Sequence, residues 1–280
     1  TAYHAATPRG ASNPPAPRFS IFRDSRAPMT SAENVSSTPP DIANGADIVF
    51  STVTADQAYV AANAVAKAIK PGAYYLDLNS CAPSTKQKNA ALIDGAGGFY
   101  VDVAVMATIT PKYHQTAMLV SGEHAEQAIA LMLALDMKPV HVPGPVGRAS
   151  TIKMIRSIMM KGIEALTAEC FTAACKAGVA DEVAASLDAS QTKKGWKAQA
   201  AYNMERMTTH GIRRAAEMRE VAKTLSDLGI VPMMTTGTIT HEQEMGEVGR
   251  LVTLDAATPI AEQMALVERA LDTLNAQTND

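Results

Sequence analysis

Residues 47–80, DIVFSTVTADQAYVAANAVAKAIKPGAYYLDLNS, contain the pattern that decides the fold. Two short apolar runs, at 48–53 and 74–79, enclose an alanine-rich segment with helical spacing. Runs of this kind are typical of buried strands, and Thr54 stands where the N-cap of the helix is expected. The stretch therefore predicts a strand–helix–strand unit.

The same alternation continues as far as residue 147. It predicts three further strands, in 99–107, 117–122 and 138–144, and two further helices, in 80–97 and 123–136. Strands that alternate with helices of this length predict a mainly parallel sheet covered by helices on both faces. Ahead of this region, residues 1–4 (TAYH) are interpreted as a short strand. Residues 5–40, rich in Pro, Ser and Ala, are interpreted as a long loop.

Beyond residue 147 no further strand is predicted. Residues 150–177 form one long helical pattern that ends before Gly178, and most of the later sequence is also helical. The sequence therefore predicts an α/β chain with a sheet domain at 1–147 and an all-helical domain at 148–280.

Composition and charge exclude several classes of function. The 280 residues carry a formal charge of −3, with a pI near 6.1, so there is no basic excess to neutralise the phosphates of a nucleic acid. We find no apolar run long enough for a membrane span and no signal peptide. Three cysteines without a CxxC pair favour a cytoplasmic protein with free thiols. The six histidines lack metal-ligand spacing, so no metal is expected.

The carboxyl ends of the predicted strands are the first candidate site, since an open parallel sheet binds its ligands there. Small or hydroxyl-bearing residues follow three of the strands, in STVTAD, DLNSCAPST and DVAVMATITP. Taken alone, any one of these motifs is better explained by ordinary turn and helix-cap chemistry.

The second candidate is a polar stripe on the helix within 147–164, GRASTIKMIRSIMMKGIE. At about 100° per residue, Lys153, Ser157, Lys161 and Glu164 share an arc of about 80°. One interpretation is a solvated face on which Lys161 and Glu164 form a surface ion pair. The other is that the stripe faces a cleft between the domains, where a lysine can transfer a proton. Spacing alone does not decide between them.

Four segments, in this order, resemble the β-hydroxyacid dehydrogenase family, which includes 6-phosphogluconate and 3-hydroxyisobutyrate dehydrogenases. They are YYLDLNSCAPST, FYVDVAVMA, GPVGRASTIKMIRSIMMKGIEAL and GWKAQAAYNMERMTTHGIRRAAEM, and the resemblance covers roughly 47–250. The sequence most resembles one branch of this family, in which the helical C-terminal domain is poorly characterised.

The resemblance implies a Rossmann domain that binds NAD(P), a helical domain, and a homodimer in which the helical domains interlock. It also implies hydride transfer between nicotinamide and a small hydroxy acid or related polar carbonyl compound. The family's catalytic lysine maps onto Lys153. The implied substrate-binding residues are Asn79, Ser80, Met106, Ala107, Ser157, Lys161 and Glu164. The implied cofactor-binding residues are Thr52, Val53, Thr54 and Asn79.

This chain departs from the family pattern at several positions. Met106, Ala107 and Thr108 stand where the family has Ser-Gly-Gly, and Ser157 stands where it has Asn. Met160 stands where the decarboxylating members have Glu, so phosphogluconate is not the expected substrate.

The start of the sequence departs most from the family pattern. A dinucleotide site needs a glycine-rich turn, and no GxGxxG is present in this sequence. Because residues 1–4 resemble the family's second strand, we expect the first strand and the glycine turn upstream of Thr1. The residue after that second strand selects the cofactor, and here His4, with Arg9 downstream, favours NADP, with NAD as the alternative.

Two other functions remain open on the sequence alone. One is an imine reductase on the same fold. The other is a non-catalytic dimeric module that keeps the fold but binds no dinucleotide.

Overall fold

The computed structural model describes residues 19–23, 43–190 and 195–278. The chain divides into two compact units, 1–159 and 160–280. This division falls within a single long helix, and the domain boundary expected at residue 147 stays a prediction.

A six-stranded sheet forms the first unit, with its strands in sequential order. The strands are β1 Phe19–Arg23, β2 Ile48–Thr52, β3 Tyr74–Asp77, β4 Phe99–Val105, β5 Ala117–Ser121 and β6 Lys138–His141. Every neighbouring pair is parallel except β4 and β5, which are antiparallel. The mainly parallel sheet predicted from the sequence is therefore confirmed, and β2 to β6 lie where strands were predicted.

The strand β1 corrects the sequence analysis, which assigned residues 5–40 to a loop. Phe19–Arg23 pairs in parallel register with Ile48–Thr52 along the edge of the sheet. The prolines and serines around this short segment are typical of a loop. The segment forms a strand because it pairs with a strand far away in sequence, which local patterns do not indicate. The strand expected at residues 1–4 lies outside the described residues.

Helices cover both faces of the sheet. They are α1 Ala58–Ala66 and α2 Pro83–Gly95 on one face and α3 Ala125–Ala134 on the other. Neighbouring residues of each strand point to opposite faces. Tyr75 accordingly packs in the apolar cluster with α1 and α2, whereas Leu76 packs in the cluster with α3.

The second unit is helical. Its helices are α4 Arg148–Ala177, which begins in the first unit, α5 Ala180–Ser190, α6 Trp196–Asp227, α7 Met233–Val248 and α8 Ile260–Thr278. The predicted long helix is confirmed, and it ends at Ala177, just before Gly178, which has a φ of +71°. The backbones of α6 and α7 pack very closely, since a Cβ at Gly211 would lie 2.2 Å from the carbonyl oxygen of Glu242.

No helix within the described part of the chain is both long and apolar enough to cross a bilayer.

Candidate active site

Lys153 and Ser80 are brought together at the carboxyl edge of the sheet. Lys153 lies in the second turn of α4, and Ser80 lies between β3 and α2. The Lys153 Nζ donates a hydrogen bond of 2.6 Å to the Ser80 Oγ. Lys153 is half-buried and Ser80 is exposed, so the pair is open to a ligand.

Asn79 joins the ends of two neighbouring strands. Its Oδ1 accepts a hydrogen bond of 2.6 Å from the backbone N–H of Val53, and its Nδ2 donates to the Ser51 Oγ at 2.9 Å. Its own N–H donates to the Asp77 Oδ1 at 3.0 Å. Asn79 is buried, so it fixes the backbone around Val53, while Thr52 and Thr54 on either side remain exposed.

The other residues expected to bind substrate have different surroundings. Met106 and Ala107 follow β4, at the same carboxyl edge as Ser80. The Ser157 hydroxyl donates to the Lys153 carbonyl oxygen at 2.9 Å. Lys161 and Glu164 are exposed on the part of α4 that belongs to the second unit.

The surface ion pair considered for Lys161 and Glu164 does not form. Among the ion pairs of the described residues, none joins these two side chains. Both side chains are exposed, and the choice between a solvated face and a substrate-binding face stays a prediction. His4 and Arg9, expected near the cofactor, lie outside the described residues.

A buried ionic cluster, which was not predicted from the sequence, lies beneath this edge. The Lys86 Nζ lies 3.0 Å from the Asp77 Oδ1 and 3.5 Å from the Asp102 Oδ1, and all three side chains are fully buried. Lys86 also donates to the Asp77 carbonyl oxygen at 2.6 Å. The hydroxyl of Tyr100 donates to the Asp77 Oδ2 at 2.7 Å.

A signal for this cluster was present in the sequence. YYLD at 74–77 and FYVD at 99–102 are similar, and the register places Asp77 directly beside Asp102. Two carboxylates in neighbouring buried strands require a cation, since an isolated buried charge is strongly unfavourable. Lys86 supplies it from α2.

Burial shifts the pKa of two further groups here. Burial, with the charge of Asp77 next in importance, raises the pKa of the Tyr100 hydroxyl well above its usual range. Burial also raises the pKa of the Cys81 thiol to about 11, although Lys86 opposes the shift. At neutral pH Tyr100 is therefore a neutral donor and Cys81 a neutral thiol.

The chain is similar in sequence to a family model and to several known proteins. Residues 174–271 match a family model described as a domain of unknown function, DUF1932. A Methanothermus fervidus protein, described as an uncharacterized 28.5 kDa protein in the 7S RNA 5′ region, is 32% identical over 195 residues. That match covers 69% of this chain and 74% of that protein.

Two enzymes are more distantly similar. Mouse mitochondrial 3-hydroxyisobutyrate dehydrogenase is 23% identical over 187 residues, and the match covers 64% of this chain and 55% of the enzyme. This chain therefore spans only about half the length of that relative. The structure of an Aspergillus terreus imine reductase, solved in complex with NADPH4, superposes with a TM-score of 0.61 at 17% identity and covers 82% of each chain. At that identity the superposition shows the fold alone.

The sheet, the helical second unit and this superposition define a Rossmann-type fold. The chain belongs to the same family as the Methanothermus fervidus protein, and residues 174–271 of its C-terminal unit match the DUF1932 model.

Proposed function

We propose that the protein is an NAD(P)-dependent oxidoreductase that transfers hydride between nicotinamide and a small hydroxy acid or related polar carbonyl compound. Lys153 transfers the proton. The observation that carries this proposal is the hydrogen bond of 2.6 Å between the Lys153 Nζ and the Ser80 Oγ, at the edge where parallel sheets bind ligands.

The residues at the end of β2 fit a cofactor. The Asn79 side chain accepts a hydrogen bond from the backbone N–H of Val53 and so fixes this segment. Thr52 and Thr54, on either side of Val53, are exposed. We assign these residues to the cofactor, together with His4 and Arg9 from the sequence, and expect NADP to bind more tightly than NAD. The nicotinamide, when bound, supplies or accepts the hydride.

Lys153 completes the proton balance of the reaction. During oxidation, the neutral amine of Lys153 accepts the proton of the substrate hydroxyl as a hydride leaves the carbinol carbon. During reduction, the ammonium group returns that proton to the developing alkoxide. Ser80 holds the lysine nitrogen in place at the open edge.

We assign the substrate side to Asn79, Ser80, Met106 and Ala107, with Ser157, Lys161 and Glu164 on α4. The Ser157 hydroxyl already donates to the backbone, so its oxygen lone pairs are what it offers to a substrate hydroxyl.

We also propose that the protein is a homodimer. Ile155, Ile158 and Ile163 on α4 are 63%, 75% and 43% exposed, and a helix that is apolar around most of its circumference requires cover. A second copy would provide that cover. Light scattering at micromolar concentration should give twice the monomer mass, and a stable monomer would contradict this part of the proposal.

A substrate panel tests the proposed reaction. The protein as its gene encodes it is incubated with hydroxy acids, their keto acids and cyclic imines, each with NADPH or NADH, while absorbance at the nicotinamide band is followed. Turnover of a hydroxy acid or keto acid supports the proposal. Turnover of imines alone replaces it with an imine reductase. If neither NADPH nor NADH binds, the result supports the non-catalytic module instead.

A further inference from the structure

We propose that Asp102 is a positioning residue that anchors the first turn of α4 to the sheet and thereby sets Lys153 beside Ser80. The catalytic meaning of this anchor rests on the proposed function, whereas the anchor itself rests on geometry within the first unit.

The carboxylate of Asp102 binds the start of α4 directly. Its Oδ2 accepts hydrogen bonds of 3.1 Å from the backbone N–H groups of both Gly147 and Ser150, and its Oδ1 accepts one of 2.6 Å from the Ser150 hydroxyl. The first N–H groups of a helix have no partner within the helix, and a negative charge there is favourable. A side chain on β4 therefore supplies the cap that α4 needs.

A second strand strengthens the anchor. Ser121 on β5 lies directly across from Asp102 in the sheet. Its hydroxyl donates to the Asp102 Oδ2 at 3.2 Å and accepts from the backbone N–H of Ala149 at 2.9 Å. The start of α4 is thus bound to two neighbouring strands, which limits both its sliding and its rotation.

The anchor acts on Lys153 through a rigid helix. Ser150 and Lys153 are separated by less than one helical turn, about 4.5 Å along the axis. Ser80 lies just after β3, the strand beside β4. The separation of 2.6 Å between Lys153 and Ser80 therefore depends on how α4 is seated on these strands. A displacement of about 1 Å in such a site can reduce turnover by about 10²-fold.

The ionic cluster allows this role to be tested. If Asp102 loses its charge, Lys86 keeps its nearer partner, the Asp77 Oδ1 at 3.0 Å. The substitution Asp102→Asn therefore leaves no buried charge without an opposite charge beside it. It does remove one acceptor, because the asparagine amide has a single oxygen, so either the N–H groups of Gly147 and Ser150 or the Ser150 hydroxyl loses its partner.

The experiment observes Lys153 itself. Lysines are labelled by reductive methylation with ¹³C-formaldehyde, and the Lys153 signal is assigned by its absence in Lys153→Met. We expect Asp102→Asn to shift this signal and its titration midpoint in the folded protein. The control is Asp94→Asn, because the Asp94 carboxylate also accepts a backbone N–H, that of Tyr100 at 2.8 Å, but at the opposite end of β4. It should leave the Lys153 signal unchanged.

The outcomes separate this inference from the proposed function. A lower melting temperature with an unmoved Lys153 signal in Asp102→Asn would make Asp102 merely structural and overturn the inference. If that variant does not fold, Ser150→Ala, which removes one hydrogen bond of the anchor, must shift the signal, and an unmoved signal overturns the inference. A shifted signal supports it, even if Lys153→Met keeps full turnover; in that case the proposed function fails and the anchor remains.

Discussion

Replacing Lys86 by methionine should be one of the most damaging single changes in the sheet unit. The substitution keeps most of the side-chain volume but leaves the carboxylates of Asp77 and Asp102 buried without their cation. At an effective dielectric constant of about 20, each attraction at the observed separations of 3.0 Å and 3.5 Å is on the order of 5 kcal/mol. The cost of burying the ammonium group offsets much of this, and breaking a buried ion pair by removing one partner costs about 3–5 kcal/mol. We expect a loss of that size in the free energy of unfolding.

The measurement must report on the sheet unit. Trp196, the single tryptophan, lies in the helical unit, so its fluorescence follows the wrong part of the chain. Hydrogen exchange of peptides from β3 and β4 gives the free energy of opening of the sheet directly. Lys88→Met on the same helix is the matched control, because Lys88 is exposed and its loss should change that free energy by about 0.5 kcal/mol or less.

A double-mutant cycle shows whether charge is the cause. In Asp77→Asn/Lys86→Met the only remaining carboxylate of the cluster is Asp102, which still accepts hydrogen bonds from Ser150 at the start of α4. The double variant should therefore lose less stability than the sum of the single losses, by about 1–3 kcal/mol. Additive losses, or a loss below about 1 kcal/mol in Lys86→Met, would refute our account of the cluster.

Two further predictions concern other titratable groups. Glu169 on α4 is partly buried, which acts against ionisation, but hydrogen bonds from the Thr235 hydroxyl and from N–H groups at the start of α7 lower its pKa. Its contribution to stability is therefore present above the unfolded pKa and lost as pH falls through the folded value. Glu169→Gln should cost about 1 kcal/mol at pH 7, with the difference from wild type shrinking below about pH 4; a difference that does not change with pH would contradict this assignment. In the second prediction, iodoacetamide at pH 8 labels the exposed Cys170 and Cys175 before Cys81, since Cys81 is buried and its pKa is raised to about 11. Equal labelling of all three cysteines by mass spectrometry would show that Cys81 is accessible.

Much of the sheet could be predicted because its signals are local. The strands β2 to β6 are apolar runs bounded by turn residues. Pro83 is the first residue of α2, and Gly178 directly follows α4, which are the positions where these residue types are typical of helix starts and stops. The strand β1 could not be predicted, because five residues in a proline-rich segment become a strand only by pairing with β2.

The candidate site was predicted in part for similar reasons. Helical spacing singled out the stripe that contains Lys153, and the family resemblance selected Lys153 within it. The Ser157 hydroxyl donates to the preceding turn of the helix, a common local bond that spacing does not reveal. The anchor on Asp102 depends on the register of three strands and the position of α4, which are tertiary properties.

The turnover of Lys153→Met tests the central claim most directly. With the substrate found in the panel and saturating NADPH, kcat should fall by a factor on the order of 10²–10⁴, while cofactor affinity and the melting temperature stay close to wild type. The matched variant Lys161→Met, on the exposed part of the same helix, should instead raise KM and leave kcat nearly unchanged. If Lys153→Met folds and retains nearly full kcat, Lys153 is not the proton-transfer residue and the proposed mechanism is wrong.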